Sequence, residues 1–176
     1  MNAQRLNISK VMISEEQIKK RVVEMAGQIE ADYAGKNLIV VGVLKGASVF
    51  VSDLIRHIDL PLTLDFMAVS SYGMSTESSG VVRILKDLDM DISGMDVLVV
   101  EDIIDSGLTL SYLQDYLSAR HVNSLRLCTL LDKPHRRKTE IKADYIGFTI
   151  EDEFIVGYGI DCKEEYRNLP YIAAVE

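Results

Sequence analysis

Three carboxylates fall within five residues of the run VLVVEDIIDSGLTL, Val97 to Leu110: Glu101, Asp102 and Asp105. The same run supplies Ser106, Gly107 and Thr109 where an apolar strand gives way to a helical stretch. Free amides in a first helical turn attract anions, and a glycine there lets the main chain approach a phosphate closely. Hydroxyls at Ser106 and Thr109 add donors. Carboxylates beside a phosphate repel it unless each has another partner. Vicinal sugar hydroxyls, which donate to carboxylates, and a magnesium ion, which prefers oxygen ligands, are such partners. The chemistry indicated is that of a phosphorylated sugar held with a metal. Taken singly, Glu101 and Asp102 read equally as solvated strand-end acids, and Asp105 as a plain helix N-cap. The loop is not GxxxxGK[ST], which excludes a P-loop.

These residues need strands and helices to position them. Ser14 with Gln17 forms a capping-box pattern, and Ile18, Val22, Met25 and Ile29 recur at helical spacing, predicting a helix over about 15–34. NLIVVGVL is a continuous apolar run of the kind buried on both faces of a sheet, followed by KGA and the helical ASVFVSDLIRHI. LTLDFMAVSSY and VVRILKDL read as strands flanking the Ser- and Gly-rich GMSTESSG, and VLVVED, NSLRLCTLLD and ADYIGFTI as further strands. Strands alternating with helices imply an α/β fold, a mostly parallel sheet covered on both sides by helices, with its ligand crevice beyond the carboxyl ends of the strands. On this reading Glu101 and Asp102 stand where the sheet ends. The tail from Glu151 has little helical period and reads, with the N-terminal residues, as a small C-terminal hood over the crevice.

The chain has 176 residues, 48% hydrophobic and 26% charged, which suits one domain: a core over about 14–150 and a hood over about 151–176. A net charge of -8 disfavours binding to nucleic acid or an anionic membrane. No secretion-type leader or membrane-spanning run is present, so a cytoplasmic location is expected. Cys128 and Cys162 lack a CxxC spacing and read as reduced thiols. The run His135–Lys138 reads as a solvated loop, and none of the three histidines has metal spacing.

Four apolar residues, two acids, two more apolar residues and DSGLT together closely resemble the phosphoribosyl-diphosphate-binding motif of the type I phosphoribosyltransferases. LKGA at Leu44–Ala47, SSYG at Ser70–Gly73, LLDKP at Leu130–Pro134 and EFIVGYGIDCKEEYRNLP at Glu153–Pro170 narrow the resemblance to the hypoxanthine (hypoxanthine-guanine) phosphoribosyltransferases. It covers nearly the whole chain.

The resemblance implies transfer of a 5-phosphoribosyl group from phosphoribosyl diphosphate to hypoxanthine, and to guanine, in purine salvage, giving IMP or GMP and pyrophosphate with Mg2+. It implies that Glu101 and Asp102 hold the ribose hydroxyls, directly or through magnesium. Asp105, Ser106, Gly107, Leu108 and Thr109 would cradle the 5-phosphate, and Asp105 would also take the purine proton as the catalytic residue. Lys45 and Gly46 would meet the pyrophosphate in a loop whose Leu44-Lys45 peptide can be cis, and Arg167 would be the second pyrophosphate contact. Lys133 would donate to the purine 6-oxo group, Phe154 would stack on the base, and main-chain groups at Ile155 and Asp161 would meet its edge. Asp161 would hold a second magnesium ion. The stretch from Ser71 and Tyr72 to Gly80 would be a closing lid. Such enzymes form homodimers or homotetramers. A nucleic-acid-binding regulator on the same fold should carry a basic face or an added domain, and the acidic charge argues against it.

Overall fold

The computed structural model describes residues 8–71 and 82–175. Strand β1 (Ile8–Ile13) leads into helix α1 (Glu15–Tyr33), and the Ser14/Gln17 capping box closes as the sequence indicates: the Gln17 amide donates to Ser14 Oγ and the Ser14 amide to Gln17 Oε1. The remaining elements are β2 (Leu38–Leu44), α2 (Ser48–Ile55), β3 (Leu62–Ser71), β4 (Val82–Lys86), β5 (Asp96–Ile104), α3 (Leu108–Ser118), β6 (Ser124–Asp132), a single 3-10 turn (Pro134–Arg136), β7 (Tyr145–Thr149), β8 (Ile155–Val156) and β9 (Ile172–Val175).

Six strands form one sheet in the order β4-β3-β2-β5-β6-β7. All of its pairs are parallel except β3 with β4. The parallel strands are apolar throughout because both faces are covered. Alternation along β5 shows how. Leu98 and Val100 pack with Ile18, Met25 and Phe50 from α1 and α2, whereas Val97 and Val99 pack with Leu110, Leu113 and Leu117 from α3. Both helical faces therefore converge on the strand that carries the acids.

A second, three-stranded antiparallel sheet has the order β1-β9-β8. Residues 8–13, whose strand character their mixed composition conceals, pair with β9 near the other end of the chain. Tyr72 and the rest of the SSYG and GMSTESSG stretch lie outside the described residues; Ser71 ends β3.

Candidate active site

Strand β5 does not stop at Glu101 and Asp102, as the sequence suggested. It continues to Ile104, with Ile103 and Ile104 still paired to Leu131 and Asp132 of β6. The pairing to β2 on the other side ends at Gly42 and Val100. The two acids thus sit on a strand that has lost one neighbour, and carboxylates cap the released backbone: Asp102 N–H donates to Glu101 Oε2 (3.2 Å) and Ile103 N–H to Asp102 Oδ1 (2.7 Å).

The strand's period of two also separates them. Glu101 follows Val97 and Val99 toward the α3 side and lines a small cavity of about 100 Å³ with Asp105, Ser106, Gly107 and Thr109. Asp102 follows Leu98 and Val100 toward α2, where it abuts the loop after β2. A Cβ placed on Gly46 would lie 1.8 Å from Asp102 Oδ2, so only glycine leaves that carboxylate room. Burial first, and the Asp102 charge second, push the Glu101 carboxyl well above the usual carboxylate range. Burial raises Asp102 also.

The turn after β5 opens α3 without a side-chain cap. Gly107, with φ 82, is the N-cap residue, so Asp105 is not the helix cap that its position allowed. Loop 137–141 backs this turn: a Cβ on Gly107 would meet Thr139 Oγ1 at 2.5 Å and Ile141 Cγ2 at 2.6 Å. Lys138 N–H donates to the Ser106 carbonyl. Leu108 N–H approaches Ser106 Oγ at 3.4 Å, and Leu108 and Thr109 begin the helix.

Gly46 against Asp102 and Arg136 against Asp105 connect this turn to the residues of a rim. The Leu44-Lys45 peptide is cis. Lys45 Nζ stands 2.9 Å from Glu164 Oε2. Arg167 pairs with Asp161 (2.9 Å) and donates from Nη1 to the Gly159 carbonyl (2.7 Å). Lys133 is buried, and its Nζ donates to the Glu153 carbonyl at 2.7 Å. Phe154 is 58% exposed, although it is an aromatic of the kind that usually fills a core. Ile155 is buried in β8 opposite Ala174.

His135, Arg136 and Lys138 are exposed as a solvated loop would have them, but Arg137 is largely covered and both arginines are ion-paired. Arg136 Nε lies 2.7 Å from Asp105 Oδ1, an oxygen that receives no directed hydrogen bond, and Arg136 Nη1 lies 3.1 Å from Asp152 Oδ1. Arg137 pairs with Asp132 at the end of β6. Glu164 is the other site residue that motif reading passed over. Its only sequence signal is its place between Asp161 and Arg167. Among the described residues, no three His, Cys, Asp or Glu side chains are grouped to hold a metal ion.

A phosphoribosyl transferase domain model matches residues 12–163. The chain belongs to that family. The hypoxanthine-guanine phosphoribosyltransferase of Bacillus subtilis is 54% identical over 170 residues, covering 97% of this chain and 94% of that one. A bifunctional TilS/HprT protein of Listeria monocytogenes is 53% identical over 97% of this chain, which spans only 26% of that longer protein. A crystal structure of a hypoxanthine-guanine phosphoribosyltransferase from Bacillus anthracis superposes with a TM-score of 0.93 at 56% identity, covering 97% of this chain and 100% of that one. The mostly parallel sheet with flanking helices is thus the type I phosphoribosyltransferase fold, as the alternation of elements predicted.

Proposed function

We propose that this phosphoribosyltransferase is a purine-salvage enzyme that moves the 5-phosphoribosyl group from phosphoribosyl diphosphate to hypoxanthine, and to guanine, with release of pyrophosphate. The observation that carries the reading is the adjacency at β5: a helix start without a side-chain cap that suits a phosphate, beside a buried and a half-buried carboxylate that suit sugar hydroxyls and a cation.

Displacement at the anomeric carbon builds positive charge on the sugar, as in glycoside hydrolysis. The amides and hydroxyls of Ser106–Thr109 hold the 5-phosphate, and Glu101 and Asp102 on the two faces of β5 fix the ribose. Asp105, on the turn between them and the helix, accepts the proton that the purine loses. Lys133 keeps further N–H donors after its bond to the Glu153 carbonyl, and one is available to the 6-oxo group. Phe154 offers an exposed ring for stacking and Ile155 its main chain for the base edge. Lys45, Gly46 and Arg167 receive the departing pyrophosphate.

Magnesium fits the donor set, because two neighbouring carboxylates, Glu101 buried and Asp102 half-buried, are both pushed toward protonation and lack positive charge. Magnesium keeps most of its waters and commonly takes only one or two carboxylates besides substrate phosphates, so three grouped side chains are not required. Glu101 and Asp102 would hold one ion and Asp161 a second. When bound, magnesium supplies neutralisation of the phosphates.

The same reading takes the chain as one domain, the β1-β9-β8 sheet as its hood, Ser71–Gly80 as its lid, a homodimer or homotetramer as its assembly and the cytoplasm as its location. No described helix is long and apolar enough to cross a membrane. The test is direct: purified protein with phosphoribosyl diphosphate, magnesium and hypoxanthine should yield IMP and pyrophosphate in equal amounts. Absence of IMP overturns the proposal.

A further inference from the structure

The two cations assigned to pyrophosphate already share a carboxylate of the protein's own. Glu164 Oε2 lies 2.9 Å from Lys45 Nζ, across 119 residues of sequence, and 3.4 Å from Arg167 Nη2. One oxygen atom thus stands between a lysine on the loop after β2 and an arginine on the last long connection of the chain. The backbone aims it there. Lys163, Glu164 and Tyr166 have φ of 53, 67 and 74, a region that non-glycine residues seldom occupy without a surrounding structure to hold them. The Glu164 amide donates to Asp161 Oδ2 at 2.8 Å, and Cys162 and Glu165 form a two-residue bridge that closes the turn.

We propose that Glu164 is an internal counter-anion of the pyrophosphate subsite: it neutralises Lys45 and Arg167 while no ligand is bound and yields to a diphosphate. The inference rests on the proposed roles of Lys45 and Arg167. Arg167 is already held by Asp161 and the Gly159 carbonyl, so Glu164 is not needed to fix it there, and its charge competes with a ligand for both cations. A diphosphate brings more charge and more oxygen acceptors than one carboxylate, so it displaces Glu164. It binds less tightly than it would to unopposed cations, and leaves more readily. The exposure of Glu164 and Lys45, 65% and 68% of their side chains, suits this use, because exposed ion pairs are weak and screened by salt. A buried pair could not be exchanged so easily.

The experiment compares wild type with Glu164→Gln, which keeps the size of the side chain and removes its charge. Both proteins are titrated with inorganic pyrophosphate in magnesium buffer by calorimetry, at low and at high salt, alongside steady-state kinetics. The Gln variant should bind pyrophosphate tighter by about 2- to 5-fold, the scale set by the exposed pair with Lys45. Its KM for phosphoribosyl diphosphate should fall by a similar factor, its KM for hypoxanthine should stay the same, and the difference should shrink at high salt. Glu164→Asp, which retains the charge, should stay nearer the wild type. A merely structural glutamate would give weaker binding when replaced, so unchanged or weaker pyrophosphate binding by the Gln variant overturns the inference. If the wild type makes IMP and binds pyrophosphate but the variant does not differ from it, this inference alone falls. If the wild type does neither, the underlying reading of the site falls with it.

Discussion

The seam between β5 and α3 and the rim formed by Lys45, Lys133–Arg137 and Glu151–Arg167 touch through Gly46 with Asp102 and Arg136 with Asp105, yet they aim their functional groups by different means. In the seam, regular structure does the aiming. Strand alternation sends Glu101 and Asp102 to opposite faces, and the helix start supplies donors from the main chain. In the rim, ion pairs do it: Lys45 with Glu164, Arg167 with Asp161, and Arg136 with Asp105 and Asp152, on backbone that includes left-handed residues. Groups fixed by main chain cannot rearrange without local unfolding, whereas exposed ion pairs exchange partners readily. The seam is thus suited to setting the reaction, and the rim to admitting and releasing ligands.

The severest test of the seam is Asp105→Asn, which keeps shape and removes the proposed proton acceptor. Turnover should fall by about 10²–10⁴-fold, the usual worth of a positioned general base, while IMP affinity measured by calorimetry stays within a few-fold. Unchanged turnover would leave Asp105 only as an anchor for Arg136. Gly46→Ala follows. Its Cβ would overlap Asp102 Oδ2, so either the carboxylate or the loop must move. A displacement of about 1 Å at a reacting centre can cost about 10²-fold, and kcat/KM for phosphoribosyl diphosphate should drop on that order. If it does not, the seam is less rigid than its geometry implies.

The third test concerns stability. Glu101 and Asp102 have folded-state carboxyls raised above their ordinary values by burial. A raised acid stabilises the fold fully below its unfolded pKa, and that contribution is lost as pH rises through the folded value. In metal-free protein the contribution of this pair should therefore be lost as pH climbs from about 4 toward and beyond neutrality, whereas Asp65, Asp87 and Asp96, whose carboxyls lie below their ordinary values, stabilise over that range. Glu101→Gln should flatten the decline and stabilise metal-free protein at pH 8 by about 1–3 kcal/mol, the scale of one uncompensated buried polar group. For a chain of this size each kcal/mol is worth about 2–4 °C in Tm. Magnesium should raise the Tm of wild type more than that of the variant.

The same division explains what could be read from the sequence. The seam was legible because its motif is local: an apolar run announces the strand, acids follow at fixed offsets, and DSGLT marks the turn. The α1 capping box and the parallel sheet were legible for the same reason. The end of β5 was misplaced because strand length there depends on β6, which continues to pair after β2 has stopped. Strand β1 was missed because its pairing partner lies about 160 residues away, and long-range pairing leaves little trace in composition. The ion pairs of Arg136 and Arg137 were hidden for the same cause. Nothing in HRRK reports that Asp105 and Asp152 will stand on either side of it.

Arg136 therefore gives the finest test of the contrast. Its guanidinium stands between Asp105 and Asp152, and its side chain is 51% exposed, so its pairs should be weak. On the role proposed for Asp105, it competes with the purine N–H for that carboxylate. Arg136→Ala should then lower the KM for hypoxanthine by less than about 5-fold, the range of exposed ion pairs. The variant should leave the KM for phosphoribosyl diphosphate unchanged, and salt should move wild type toward it, because screening weakens the competing cation. A rise in KM for hypoxanthine, or a loss of turnover on the Asp105→Asn scale, would show instead that Arg136 holds Asp105 in its working position. In that case the seam would extend into the rim, and main chain alone would not fix the proton acceptor.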